Sequence, residues 1–564
     1  MADKGGSPDD SQAKWVISTF LRFPLYSFIG LRLRAIGRVN DALPWFRRAV
    51  AAAESGNDLL NQEFLARAQR AVGLCLQHMG QVDEARLGYE RAAEAIQKGD
   101  ARGRVHYEAL GWILHDVGEC RWAMEDFEGA MPWFARAVEA KQKGEVYGRV
   151  VLDMPWFNRA LEATNTVDVY GRVDHESVGW SMNAVGDCLR ELERFEEARA
   201  WYEHAVEARQ KGDAHGRVHH ERVGWSMHQV GWSLFQTGKF EEAQAWYERA
   251  VEATQKGDIH GRVDHTSVGS SMNEVGWSLF QTGKFEEARA WYEHAVEANR
   301  KGDVHGRVNH ERVGASLHGV GACLSKMGHF EECREWYERA VVANQKGDVH
   351  GRVDHTCLGT SMHEVAVSLA STEQFEEARS WYERAAEAMQ KGDIHGRMNY
   401  ERSGLYLYDV GNCLSSLGKY EEARSWYERA VEVLQKGDAQ GRVDHDSLGA
   451  SLEGVGNCLW WTGDLEEARK WYERAVKAKA QGDMQGRVDC ASLASTLRDG
   501  ARLLRRLRRK EQAQAWERRA SRLGRTLTIG NAATPEPAQR EIDHLLGIPE
   551  EPINPVKTWR INDL

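Results

Sequence analysis

The chain has 564 residues, of which 42% are hydrophobic and 28% are charged, and its formal net charge is −11. This acidic balance excludes general nucleic-acid binding as the default expectation, because such binding needs a concentrated positive surface. The length alone would suggest about four ordinary domains. A 45-residue internal repeat instead predicts a single elongated array.

The N-terminal region does not have the pattern of a signal peptide. Residues 1–14 are polar, and Asp9 and Asp10 stand where a basic leader would be expected. Residues 15–33 are more apolar, but Arg22 and Pro24 interrupt them. We expect a capping helix here, with a membrane-surface anchor as the alternative, and no stable membrane insertion.

The repeat is clearest in residues 231–275, and residues 276–320 repeat it with 33 of 45 positions identical. Each copy combines small and bulky residues at fixed offsets from a glycine-like position. In one copy these residues are Gly231, Leu234, Gly238, Phe240, Ala243, Tyr247 and Ala250. Eleven copies of this register begin at Gly30, Gly73, Gly118, Gly186, Gly231, Gly276, Gly321, Ala366, Gly411, Gly456 and Ala501.

The spacing predicts two helices in each repeat. At about 100° per residue, Ala243 and Tyr247 share the apolar face of the second helix, together with Trp246. The glycines are expected to end the helices, and Asp264 is expected to cap the next one. The Trp-Tyr pair, which recurs every 45 residues, is assigned to core packing rather than to a ligand-binding ladder.

This arrangement of small and aromatic residues resembles the tetratricopeptide repeat. The longer unit, with its Asp264-His265 start, resembles the repeats of kinesin light chains and nephrocystin-like proteins, although residues 255–263 lengthen the connection. The resemblance implies an all-α, right-handed α-solenoid of about eleven antiparallel helix pairs. It also implies a concave groove that receives peptides.

We assign residues 15–525 to this solenoid and residues 526–564 to a proline-containing tail. The tail has clustered apolar residues with which it could dock on the array or on a partner. Residues 154–173 repeat residues 131–150 at 13 of 20 positions. This duplication predicts an extra helix near 151–173 that kinks the array, or else a tolerated duplication without a role. Residues 491–525 form a degenerate capping repeat, as an open-ended stack needs.

The nine cysteines do not indicate disulfides. Six of them occupy one position of the repeat, where other copies have Ser. A position that accepts Cys or Ser needs a small packing residue, so we predict free cysteines in a reducing, cytoplasmic compartment. The six are Cys75, Cys120, Cys188, Cys323, Cys413 and Cys458.

The best candidate for metal chemistry is the connection containing Asp258, His260, Asp264 and His265. Both histidine positions change to Tyr, Gln or Cys in other copies, so we interpret the connection as structural. No phosphate-binding glycine loop and no nucleophile motif is found. The sequence therefore predicts a non-enzymatic protein without a metal or a cofactor.

Positions that vary between copies are the candidates for specificity. On the first helix, Trp277 and Phe280 point away from the face that contains Val268 and Leu279. Equivalent positions in neighbouring copies collect aromatic and amide side chains, and together they form the predicted groove. These candidate residues are Trp180, Trp225, His228, Trp232, Phe235, Gln236, Asn273, Trp277, Phe280 and Gln281.

Aromatic anchors beside amides suit an extended or helical peptide. We therefore expect a scaffold or adaptor that binds a protein or peptide through this groove. The alternative is a regulatory sensor that changes curvature on binding a peptide or small ligand. A competing interpretation of the aromatic residues is that they pack against the first helix of the next repeat.

Overall fold

The computed structural model describes residues 25–54, 61–99, 105–143, 173–438, 441–484 and 486–526. These residues form 22 helices and no strand, which confirms the all-α prediction. The helices are α1 (25–35), α2 (Val39–Glu54), α3 (Asn61–His78), α4 (Val82–Gln97), α5 (Tyr107–Ala123), α6 (Phe127–Gln142), α7 (His175–Glu191), α8 (Phe195–Gln210), α9 (His220–Gln236), α10 (Phe240–Thr254), α11 (His265–Gln281), α12 (Phe285–Lys301), α13 (His310–Lys326), α14 (Phe330–Asn344), α15 (His355–Ser371), α16 (Phe375–Lys391), α17 (Tyr400–Ser416), α18 (Tyr420–Leu434), α19 (His445–Thr462), α20 (Leu465–Lys479), α21 (Cys490–Arg506) and α22 (Lys510–Thr526).

The chain divides into two compact units. The N-terminal unit comprises Met1–Lys284 and Lys301–Gly306, and the C-terminal unit comprises Phe285–Arg300 and Arg307–Leu564. Within each unit, consecutive helices pack in tandem as antiparallel pairs, such as α9 with α10 and α13 with α14. Each unit is therefore a stack of helix pairs of the predicted kind.

Glycine on the first helix and tyrosine on the second explain how closely each pair packs. A Cβ atom on Gly231 would lie 2.8 Å from Cε1 of Tyr247, so a larger residue would collide with the ring. Tyr247 is completely buried, as are Ala243 and Ala250 beside it on α10. The small residues allow the two helix backbones to approach, and the tyrosine fills the space between them.

The predicted helix ends are confirmed. Gly238 and Gly257 have φ angles of 76° and 77°, which place them in the left-handed region that glycine adopts without strain. Asp264 caps α11, because its carboxylate accepts a hydrogen bond of 2.9 Å from the amide of Thr266. These signals set the length of the repeat.

Stacking between repeats depends on the last turn of the second helix. Arg209 of α8 is buried, and its guanidinium donates to the carbonyl oxygen of Arg222 at 2.8 Å and to Oγ of Ser226 at 2.9 Å. Lys141 of α6 makes the corresponding contact by donating to Oγ of Ser181 on α7 at 3.0 Å. Helix α6 therefore packs on α7 as α8 packs on α9, although 32 residues lie between the end of α6 and the start of α7.

Several predictions concern parts of the chain outside the described residues. These are the polar segment 1–14, the extra helix near 151–173 and the tail 526–564, of which only Thr526 and Val173 are described. None of the described helices has the length and apolar character needed to cross a lipid bilayer. All nine cysteines are free thiols in the structure.

Candidate functional site

The recurrent Trp-Tyr pair separates into two environments on the second helix. Tyr247 is part of the core, whereas Trp246 is half-buried and lies beneath the guanidinium of Arg249, 5.0 Å from its ring centroid. The same Trp-Arg contact recurs between Trp336 and Arg339 at 3.9 Å. This pair therefore belongs to the scaffold, and Trp246 and Trp336 are each covered by an arginine of their own helix.

The connection that offered metal-ligand residue types is held together by its own hydrogen bonds. The Asp258 carboxylate accepts from the amides of His260 at 2.8 Å and Arg262 at 2.9 Å, and it pairs with the Arg262 guanidinium at 2.6 Å. These hydrogen bonds and the adjacent cation lower the pKa of Asp258. The aspartate therefore closes the turn.

The groove residues predicted from the sequence lie on first helices of the N-terminal unit, and we call them the first-helix surface. Trp180, Trp225 and Trp277 are 45%, 43% and 42% exposed, respectively. Exposed tryptophans are costly in water because each leaves a large apolar area unburied. Three of them on α7, α9 and α11 form the most apolar part of this surface.

Each tryptophan in the middle of its helix is held by a neighbouring polar group. The indole Nε1 of Trp180 donates to Nε2 of His115 on α5 at 2.9 Å. The ring of Trp225 lies 5.8 Å from Cζ of Arg209, the buried cation that connects α8 with α9. These contacts fix the orientation of both rings while each tryptophan remains partly exposed.

The tryptophans nearer the ends of the first helices pack on the preceding repeat. The ring of Trp277 lies 6.3 Å from that of Phe235 and stacks on Phe280 at 5.6 Å with an interplanar angle of 4°. The ring of Trp232 lies 5.7 Å from Cζ of Arg190, which occupies the position of Phe235 in the preceding repeat. The ring of Trp232 also lies 5.6 Å from the ring of Phe195. The structure thus brings Phe235, Trp277 and Phe280 together.

The polar members of the first-helix surface differ in exposure. Gln236 and Gln281 are exposed at the ends of α9 and α11. His228 packs on Tyr247 with ring centroids 5.3 Å apart, and burial lowers the pKa of His228 to about 4, so its ring is neutral near pH 7. His228 therefore belongs more to the α9–α10 pair than to the open surface.

Two buried oxygen atoms near this surface have no hydrogen-bond partner among the described residues. They are Oδ1 of Asn273 and the hydroxyl oxygen of Tyr247. In three other repeats the equivalent tyrosine donates to the residue that follows the repeat glycine, as Tyr202 donates to Asp187 at 2.7 Å. Trp232 occupies that position here, so this repeat has an aromatic side chain in place of a hydrogen-bond acceptor.

Sequence reasoning missed the residues that orient the aromatic rings. Arg190, Phe195 and Arg209 hold Trp232 and Trp225, but helical periodicity assigns a face and not a partner on another helix. A usable signal was present for Arg190, because it occupies the repeat position of Phe235. Arg190 and Phe235 are equivalent residues of consecutive repeats. Each of them contacts the tryptophan of the repeat that follows, which is Trp232 for Arg190 and Trp277 for Phe235.

These observations define the class of protein as a helical repeat protein with an aromatic surface on its first helices. Tetratricopeptide repeat family models match residues 178–212, 223–256, 268–301 and 358–391, and a second model of the same description matches residues 406–433 and 451–481. The chain therefore contains tetratricopeptide repeats. Proteins of this family are generally non-enzymatic interaction scaffolds, and the fold supports a protein or peptide partner.

The chain is also similar to several solved structures. BtubC (BKLC) from P. vanneervenii is 18% identical over 44% of this chain and 94% of its own, with a TM-score of 0.37. A putative kinesin light chain with TPR-like repeats from Podosopora anserina is 20% identical over 38% of this chain and 97% of its own, with a TM-score of 0.30. The apo form of RapI is 10% identical over 74% of this chain and 98% of its own, with a TM-score of 0.42. No curated protein matches the sequence significantly.

Proposed function

We propose that this protein is a non-enzymatic scaffold that binds a peptide segment of a protein partner on the first-helix surface. The observation that carries the proposal is the exposure of Trp180, Trp225 and Trp277 on consecutive first helices of one compact unit. Aromatic side chains of this kind supply most of the binding energy in interfaces, because they bury a large area with few rotatable bonds.

The polar groups beside the tryptophans suit a peptide backbone. The amide side chains of Gln236 and Gln281 are exposed and can both donate and accept. A ligand with apolar side chains and free backbone amides therefore fits the surface better than a purely apolar ligand.

The composition of one repeat supports a binding role for Trp232. A hydrogen bond such as that between Tyr202 and Asp187 contributes about 0.5–1.5 kcal/mol. The repeat with Trp232 lacks this stabilising hydrogen bond, since the Tyr247 hydroxyl has no partner among the described residues. An aromatic residue at this position is explained by a role in binding better than by a role in stability.

The test uses the full chain as bait in an extract of its native cells. Trp225→Ala combined with Trp277→Ala removes two exposed rings, and alanine already occupies the equivalent positions as Ala315 and Ala322. The matched control is Trp461→Gln, which removes a 66% exposed tryptophan from a position where other repeats have Gln281. We expect the double variant alone to lose the partner. Equal capture by the double variant and the wild type, with unchanged helix content, would refute the proposal.

A further inference from the structure

A second surface lies in the C-terminal unit, in a groove between the end of α12, α13 and α14. Its floor is apolar and contains Val313, Leu317 and Ala343, which are 4%, 1% and 7% exposed. Its rims carry charged side chains, including Arg300 and Lys346. The groove combines an apolar floor with a charged margin, as expected of a surface that binds an amphipathic segment.

Comparison with the other repeats shows that this groove is specialised. Arg300 replaces a glutamine that stands at seven equivalent positions, Gln97, Gln142, Gln210, Gln255, Gln345, Gln390 and Gln435. Val342 replaces a glutamate that stands at seven equivalent positions, Glu94, Glu139, Glu207, Glu252, Glu297, Glu387 and Glu432. Both replacements make the groove more positive, and Glu335, where other repeats have mostly Ala or Ser, offsets one of the two charges gained.

These departures are close in space although they are up to 42 residues apart in the sequence. Val342 is 56% exposed, so an apolar side chain faces water where other repeats have a carboxylate. Because the repeats have nearly identical sequences, a residue that differs at one position of one repeat can be recognised by comparison with the others. Three departures that meet in one groove therefore indicate selection for a ligand at that place.

The cations of the groove are available to a ligand. Among the described residues, neither Arg300 nor Lys346 forms an ion pair, and Arg339 lies over the ring of Trp336. Partial burial, and then the like charge of Arg300, lower the pKa of Arg339. By contrast, two arginines of the basic C-terminal repeat already have partners, since Arg502 pairs with Asp499 at 2.7 Å and Arg509 with Glu466 at 2.8 Å.

The chain itself contains a segment of the matching chemistry. Residues 541–551, with the sequence EIDHLLGIPEE, include four acidic residues and neither Lys nor Arg. They also include four aliphatic residues, of which Ile542, Leu545 and Leu546 have the i, i+3, i+4 spacing that a groove-binding helix uses. We propose that residues 541–551 bind in the α12–α14 groove of the same molecule, with their carboxylates facing Arg300 and Lys346.

The length of the intervening chain permits this contact. The 14 residues between α22 and residue 541 span up to about 46–50 Å when extended. The groove on α13 and α14 lies four helix pairs before α21 and α22 in the C-terminal unit. At about 10 Å for each pair, the distance to be crossed is about 40 Å. The segment can therefore reach the groove without displacing α22.

Hydrogen–deuterium exchange of the full chain tests the proposal. We expect the amides of residues 541–551 to exchange at least tenfold more slowly than those of a free peptide of the same sequence. Arg300→Gln with Val342→Glu restores the residues of the other repeats, so the fold should be kept and the protection should be lost. Exchange as fast as in the free peptide, or equal protection in this double variant, would overturn the proposal.

Three controls identify the occupant. Lys346→Gln should weaken the protection, whereas Lys391→Gln, the same change one repeat further on, should not. Glu550→Lys with Glu551→Lys reverses two of the four negative charges of the segment and should release it. Protection that rises with protein concentration would mean that the segment of a second copy fills the groove, and this would overturn the intramolecular contact.

Discussion

The ring of Phe235 lies 6.3 Å from the ring of Trp277, with an interplanar angle of 30°. The two residues occupy consecutive first helices, α9 and α11, so their contact joins one repeat to the next. Trp277 nevertheless remains 42% exposed. The Trp277 side chain therefore packs against the preceding repeat and also contributes to the exposed aromatic surface.

The fit between the repeat glycine and the tyrosine can be tested at Gly321. A Cβ atom there would lie 2.7 Å from Cε1 of Tyr337, so Gly321→Val should destabilise the C-terminal unit by about 1–3 kcal/mol through overpacking. Gly321→Ala should cost less, because Ala366 occupies the equivalent position. The measurement is the denaturant midpoint followed by circular dichroism. Equal midpoints for the two variants would contradict this account of the helix pair.

The buried cation between repeats predicts a second effect on stability. Arg209 is 2% exposed and lies 3.5 Å from Glu176, whose side chain is 13% exposed. Arg209→Ala should destabilise the N-terminal unit by about 1–3 kcal/mol, because it removes the buried donor to the Arg222 carbonyl oxygen and to Oγ of Ser226 and leaves Glu176 with Arg222 alone. Arg209→Met with Glu176→Gln should recover much of this loss. Thermal unfolding of the variants measures both effects, and no loss in Arg209→Ala would show that the cation does not stabilise the stacking.

A histidine of the C-terminal unit predicts a dependence on pH. Burial opposes the charged form of His363, but its contacts with Asp409 at 3.3 Å and Glu364 at 3.5 Å outweigh burial and raise its pKa to about 9. This pKa lies above the value of about 6.5 expected in the unfolded chain. The stabilisation is therefore complete below about pH 6.5 and is lost as the pH rises to about 9.

Nuclear magnetic resonance titration of the His363 ring measures this prediction directly. We expect a midpoint near 9 in the wild type and a lower midpoint in Asp409→Asn, which removes one of the two negative charges. A wild-type midpoint at or below 6.5 would contradict the assignment of the two carboxylates as its partners.

Much of the fold was accessible from the sequence because each repeat contains strong local signals. Gly257 ends α10 in the left-handed conformation, Asp264 caps α11, and Tyr247 is buried between α9 and α10. Each of these outcomes depends on residues within one helix pair. Recurrence at a 45-residue period then extended the prediction to the remaining pairs.

The environment of the candidate site was less accessible, because it depends on contacts between different helices. Periodicity placed His228 and Trp225 on the same surface, yet His228 packs on Tyr247 while Trp225 is 43% exposed. The depth of each side chain is set by its partner on the other helix. For the same reason, the meeting of Arg300 and Val342 in one groove became visible only in the structure.

The affinity of the captured partner for the full chain tests the central claim most directly. Isothermal titration calorimetry would compare the wild type with the double variant of Trp225→Ala and Trp277→Ala and with Trp461→Gln. Loss of a buried aromatic anchor costs about 2 kcal/mol or more, so the double variant should bind at least about 30-fold more weakly. Trp461→Gln should bind as the wild type does. Equal affinity of the double variant and the wild type would contradict the assignment of the first-helix surface as the binding site.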